Sequence, residues 1–307
     1  MEKRNQTNHE RDILDRAARV LPQGSLGNLN YDLIVNKGKG SHIWDESGNE
    51  YVDYLLGSGP MLVGHSNPPV LEAVLNQLSS GTTFFATNEK SVELAEEIVK
   101  AVPCAEKVRF LSTGSEATLY AMRLARAFTG KDKILKFEGG YHGMNDYALM
   151  SMSPSKLMDY PQAEPDTAGI PKSLQAEMLI APFNDIETTT AIIDRYKDEL
   201  AGVIVEPFQR LLPPKEGFLE GLREITSHYE IPLIFDEVVT GFGRLGHFFS
   251  SEKIFGVVPD IITCAKGITS GYLPLGAVLF SNKLIACLLY TSPSPRDATL
   301  SRMPSSG

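Results

Sequence analysis

The stretch PLIFDEVVTGFGRLGHFF (Pro232–Phe249), followed after a short spacer by PDIITCAKGITSG (Pro259–Gly271), decides how this chain folds. Each half opens with a short apolar run of the kind buried on both faces of a parallel sheet. The first run ends in a carboxylate, Asp236, and the second is followed by an amine, Lys266. Alternate strand residues face opposite ways, so one acid of the pair Asp236-Glu237 points toward a site and the other away. A carboxylate at a buried strand end needs a cationic partner. A protonated pyridine nitrogen would serve, and so would an arginine such as Arg244. A lysine at a strand end, flanked by Ala265 and Gly267, suits nucleophilic Schiff-base chemistry.

Outward from this stretch, short apolar runs alternate with helical patterns. Strands are expected at 108–111, 133–137, 202–205, 232–235, 260–264 and 276–280. Helices are expected at 91–102, 115–128 and 218–229, with Gly130 just past the end of the second. This is the pattern of βα units, an α/β fold with a mostly parallel central sheet flanked by helices. Ligands of such sheets sit outside the carboxyl ends of the strands, where Ser112-Thr113-Gly114, Glu206, Asp236 and Lys266 all fall. Nearer the N-terminus, helices are expected at 10–20 and 68–78, and SHIWDESGNEYVDY reads as a hairpin turning at Ser47-Gly48. The segment 285–307 is rich in Ser and Pro and aperiodic, and reads as disordered or foreign.

The composition is that of a soluble globular chain: 307 residues, 42% hydrophobic and 22% charged. A net charge of −9 argues against nucleic acid or an anionic membrane as partner. No apolar run is long enough to span a bilayer. The polar N-terminus is not a secretory signal, and the 3 cysteines form no CxxC pair. A reducing, cytoplasmic setting without zinc or disulfides is expected.

Two further motifs have a chemical and a bland reading each. Ser112-Thr113-Gly114-Ser115-Glu116-Ala117 leads from a strand into a helix. It is either a phosphate cradle of open N–H groups or an ordinary capped helix start. Tyr141-His142-Gly143 places an aromatic ring on a glycine-rich loop, to stack on a flat cofactor or to pack beneath the loop.

Taken together, GPMLVGH (59–65), STGSEA (112–117), YHG (141–143), VEPFQ (205–209), FDEVVTGFGR (235–244) and AKGITSGYLPLGAV (265–278) resemble the class III pyridoxal-phosphate aminotransferases. This fold-type I group includes omega-transaminases and glutamate-1-semialdehyde aminomutase. The resemblance covers about residues 10–284. It implies a cofactor-binding large domain at 61–284 and an N-terminal segment, 1–60, belonging to a small domain. It implies pyridoxal 5'-phosphate as cofactor, with Lys266 forming the Schiff base and moving the proton, and Asp236 paired with the pyridinium nitrogen. Val238 would lie under the ring and Tyr141 over it. Gly114 and Ser115 would take the phosphate, with His142, Glu206 and Gln209 beside the cofactor. The implied reaction is ping-pong transfer of an amino group from an amine or amino acid to a keto acid or aldehyde, in a homodimer with the site at its interface. An intramolecular aminomutase and an inactive cofactor-binding fragment remain as alternatives. Ser58 stands about where the aminomutases carry a tryptophan. The family's C-terminal small domain, and a phosphate-binding threonine from the neighbouring subunit, have no counterpart after residue 284, so a C-terminally truncated chain is expected.

Overall fold

The computed structural model describes residues 4–26, 32–84, 86–156 and 158–285. The chain divides into two compact units, Met1–Ala86 and Thr87–Gly307. The first holds α1 (Asn8–Val20), an antiparallel sheet of β1 (Val35–Lys39), β2 (His42–Asp45) and β3 (Glu50–Val52), and α2 (Pro68–Ser80). The expected hairpin is present, and Gly48 takes the left-handed conformation (φ 86°) that its turn requires. β1 was not expected because VNKGK lacks an apolar alternation. The unit boundary differs from the expected break at 60/61. His65 pairs with Gly40 in a backbone bridge and with Asp53 through its side chain (2.8 Å), and Ser66 Oγ donates to Gly38 O. These bonds fasten the residues just past 60 to the three-stranded sheet.

The second unit runs α3 (Glu89–Ala101), β4 (Lys107–Leu111), α4 (Gly114–Thr129), β5 (Lys133–Phe137), α5 (Lys172–Gln175), β6 (Met178–Ala181) and α6 (Ile186–Tyr196). Then come β7 (Leu200–Val205), α7 (Phe218–His228), β8 (Leu233–Asp236), α8 (Ser251–Phe255), β9 (Ile261–Cys264) and β10 (Gly276–Phe280). Its 7-stranded sheet has the order β4-β10-β9-β8-β7-β5-β6. β10 is antiparallel to β4 and β9, and the other pairings are parallel. All six expected strands are present; β6 and α6, which the sequence pattern did not announce, complete a βα unit at the sheet edge.

The strands are mostly apolar because both faces are covered, and their side chains divide by parity. Leu135, Phe137, Val203, Val205, Leu233 and Phe235 join a core built with α3, α6 and α7. Ile134, Ile204 and Ile234 join a second core built with α4; Ala201 joins it too, out of parity, beside the register shift at the start of β7. Gly202 lets α4 lie close, since a Cβ there would come within 3.0 Å of Ala125 Cβ. Cys104 and Cys264 are buried free thiols, which burial pushes up to about 12 in the case of Cys104. Residues 286–307, most of the Ser-Pro-rich segment, and Cys287 within them, lie outside the described residues. Among the described residues no helix is long and apolar enough to cross a membrane.

The N-terminal unit is pinned by a buried ion-pair network. Arg4 Nη1 donates to Glu10 Oε1 (2.8 Å) and Asp45 Oδ2 (2.7 Å), and Tyr51 and Asn49 also donate to Asp45. Burial pushes the Asp45 carboxyl up, but hydrogen bonds from Asn49, Tyr51 and Arg4 outweigh it and hold it well below the usual carboxylate range. The unfolded chain therefore binds the proton first as pH falls, so this stabilisation is present above about pH 4 and is lost below it. Urea midpoints should fall steeply between about pH 5 and about pH 3 in the native chain, and Asp45→Asn should flatten that slope. An unchanged slope would remove Asp45 from the account.

Candidate active site

Five chain segments meet at the carboxyl edge of the 7-stranded sheet. Asp236 is the last residue of β8 and is 4% exposed. It shares parity with Ile234 and so lies on the α4 face, whereas Glu237 turns to the other side. The expected division of the two acids is thus observed. Glu237 accepts from Ser250 N, Ser250 Oγ and Ser251 N, and so holds the start of α8.

Asp236 is fixed by three donors. Oδ1 accepts from Val238 N and Thr263 Oγ1, both at 3.1 Å, and Oδ2 lies 2.8 Å from Nδ1 of His142. The side chain that meets its Oδ2 is therefore His142, not Arg244. A carboxylate only accepts, so Nδ1 carries the proton. Of about four acceptor positions on the carboxylate, one on Oδ2 is left for a further donor. His142 is 1% exposed and reaches the site through Asp236. Thr263, on β9, was not singled out in the sequence; its signal was a β-branched hydroxyl within an otherwise apolar run.

The loop after β5 is tied to this centre. Tyr141 N donates to Glu206 Oε2 at 2.8 Å, and burial pushes the Glu206 carboxyl up. Gln209 Nε2 donates to Glu138 O. His142 Nε2 and Gln209 Oε1 are buried and have no hydrogen-bond partner among the described residues. A Cβ on Gly140 would come 3.2 Å from each.

The start of α4 supports both readings of STGSEA. Thr113 Oγ1 accepts from Glu116 N, and Glu116 Oε2 accepts from Ser112 N and Thr113 N, a capping box. That leaves the N–H groups of Gly114 and Ser115, the first two of the helix, without a hydrogen bond among the described residues. They sit at the positive end of the helix dipole. Ser115 Oγ accepts from Met144 N (3.0 Å), which leaves its own proton free to donate. A Cβ on Gly114 would meet Val238 and Ala265 at 3.2–3.3 Å, so the helix start, the residue past Asp236 and the residue before Lys266 converge.

Lys266 follows β9 in the left-handed region (φ 47°), a conformation that costs a non-glycine residue roughly 1–2 kcal/mol. Its amine has no polar partner among the described residues. The edge thus offers a free amine, a fixed carboxylate with one open acceptor position, and two open N–H donors with a hydroxyl. That donor set fits pyridoxal phosphate: an aldehyde for the amine, a ring nitrogen for the acid and a phosphate for the helix start.

Gly276 locks the arrangement, because a Cβ there would meet Thr113 O at 2.5 Å and Thr113 C at 2.8 Å. Both are backbone atoms of the α4 cap, so the clash cannot be relieved by a rotamer change. Gly276→Ala should cost about 1–3 kcal/mol in urea unfolding; an unchanged midpoint would contradict the close approach.

Comparison with known proteins identifies the family and its cofactor. The family model for class III aminotransferases matches residues 25–296. Glutamate-1-semialdehyde 2,1-aminomutase of Methanocaldococcus jannaschii is 45% identical over 258 residues, covering 83% of this chain and 59% of that protein. An omega-transaminase from Sphaerobacter thermophilus superposes with TM-score 0.86 at 36% identity, over 97% of this chain and 68% of that one. A transaminase with PLP bound gives the same TM-score at 30% identity, over 99% and 70%. The chain therefore spans about three-fifths of the length of the aminomutase it matches. On the extent of the family match and the fold that carries it, the chain belongs to the class III, pyridoxal-phosphate-dependent aminotransferase family.

Proposed function

We propose that the chain carries the cofactor-binding half of an amino-group transferase that moves an amino group from an amine or amino acid to a keto acid or aldehyde. The observation that carries the reading is the convergence of a polar-unpartnered Lys266, a triply anchored Asp236 and the open N–H groups of Gly114 and Ser115. When bound, pyridoxal phosphate supplies the electron sink for the bond breaking at the substrate carbon.

The protein's own share is orientation and proton handling. Gly114, Ser115 and the dipole of α4 would hold the phosphate. Asp236 holds the ring nitrogen in its protonated form. His142 and Thr263 keep the carboxylate from turning away. Tyr141 and Val238 would bind the ring, and Glu206 fixes the backbone of Tyr141. Lys266, whose amine has no polar partner among the described residues, would hold the cofactor's aldehyde carbon and would be the base placed to move a proton at the substrate carbon. A homodimer with the site at its interface and a cytoplasmic location belong to this reading.

A second reading, intramolecular amino transfer, draws on the 45% identity to an aminomutase. Incubation of the chain with pyridoxal phosphate and an amine donor, with and without a keto acid, separates the two. Amination of the keto acid, dependent on both partners and reduced about 100-fold or more by Lys266→Ala, is expected. Isomerisation of glutamate-1-semialdehyde without any acceptor would favour the aminomutase. Absence of any spectral change on adding the cofactor would overturn both.

A further inference from the structure

β5 carries a lysine where its neighbours are apolar. Lys136 is 0% exposed, and its parity sets it on the α4 face, opposite Leu135 and Phe137. Its Nζ donates to the carbonyl oxygens of Gly140 (2.9 Å), Ala148 (2.9 Å) and Met150 (2.5 Å). An ammonium has three N–H donors, and each carbonyl takes one. Among the described residues no carboxylate comes within ion-pair distance of it. A buried charge without a counter-ion is costly, and burial pulls this amine down to about 8. A fold that retains such a group gains something from its three bonds.

What they join is informative. Gly140 lies immediately before Tyr141-His142, and Ala148 and Met150 lie where the same loop returns to the sheet. Gly139 N donates to Ser151 O across the same neck. Between these points, Tyr141 N meets Glu206, His142 Nδ1 meets Asp236, and Gly143 lies against Ser115, where a Cβ would come within 2.5 Å of its Oγ. We propose that Lys136 is a positioning residue: its ammonium closes the neck of the 139–151 loop and so sets Tyr141 and His142 against Glu206 and Asp236. It acts on the cofactor site through the loop. The charged groups acting on it are Asp166, beyond the loop's return, and Glu206 and Arg210, from the segment after β7.

The test compares the full chain with Lys136→Met and with Lys133→Met, which removes a lysine from the same strand that bonds to Ala176 and Glu199. Hydrogen exchange of the 139–151 amides and an absorbance titration with pyridoxal phosphate are both read. Only the second readout rests on the function proposed above. Lys136→Met should speed exchange in the loop and weaken cofactor binding, each by about tenfold or more, and Lys133→Met should change neither. Unchanged loop exchange in folded Lys136→Met overturns the proposal, as does faster exchange with unchanged affinity. If Lys136→Met yields no folded protein, the native chain is read between about pH 7 and about pH 10, across the titration of Lys136. A neutral amine has only two donors for the three carbonyls. Loop exchange, corrected for base catalysis, should then rise with a midpoint near 8 while the sheet stays protected; a flat profile overturns the proposal. A native chain that binds no cofactor contradicts the proposed function and leaves the exchange result standing.

Discussion

The bond between His142 Nδ1 and Asp236 Oδ2, 2.8 Å long and almost fully buried, is the contact on which the site depends. It joins the loop after β5 to the end of β8, across the intervening strand β7. A carboxylate at a buried strand end is unfavourable unless its lone pairs are used. Here His142, Thr263 and the backbone of Val238 use three, and their directions decide which way the last one faces. The acid is thereby set before any ligand arrives, and no reorganisation is needed when charge develops beside it.

The sheet makes that contact possible through parity. Ile234 and Asp236 face α4 while Phe235 and Glu237 face the other helices, so one strand end serves two tasks. Asp236 is turned to the site. Glu237, whose carboxyl burial pushes up, is spent on the start of α8. Close approach of α4, allowed by Gly202, brings the helix start toward that same edge, and Gly276 allows the Thr113 cap to sit against β10. Small residues at these points matter because they leave room, and a methyl group at either would displace backbone or helix.

Much of this was legible in the sequence, and the omissions have physical causes. Strands buried on both faces are near-continuous apolar runs, so β5, β7, β8, β9 and β10 stood out, and the polar residues after the parallel ones marked the edge where ligands gather. β6, as long as β8 and β9, has Pro182 and Phe183 rather than a polar residue after it to single it out, and β1 had no apolar alternation. Asp236, Lys266, Gly114 and Ser115 were singled out because each sits at a strand end or a helix start. The partners were harder. That His142 would meet Asp236, 94 residues away, depends on strand order, which local pattern does not encode. Thr263 and Lys136 lie inside runs whose apolar neighbours dominate the signal, although a lysine within a buried strand is itself a departure that periodicity exposes. The unit boundary near residue 86 rests on long-range bonds of His65 and Ser66 that composition could not reveal.

The central claim is that Lys266, on its strained turn after β9, is the amine that holds the cofactor. Incubation with pyridoxal phosphate, reduction with borohydride and peptide mapping by mass spectrometry tests it most directly. The account predicts a pyridoxyl group on the peptide containing Lys266, lost in Lys266→Ala and in the presence of excess competing amine. Stoichiometric label on another lysine with Lys266 unmodified would contradict it.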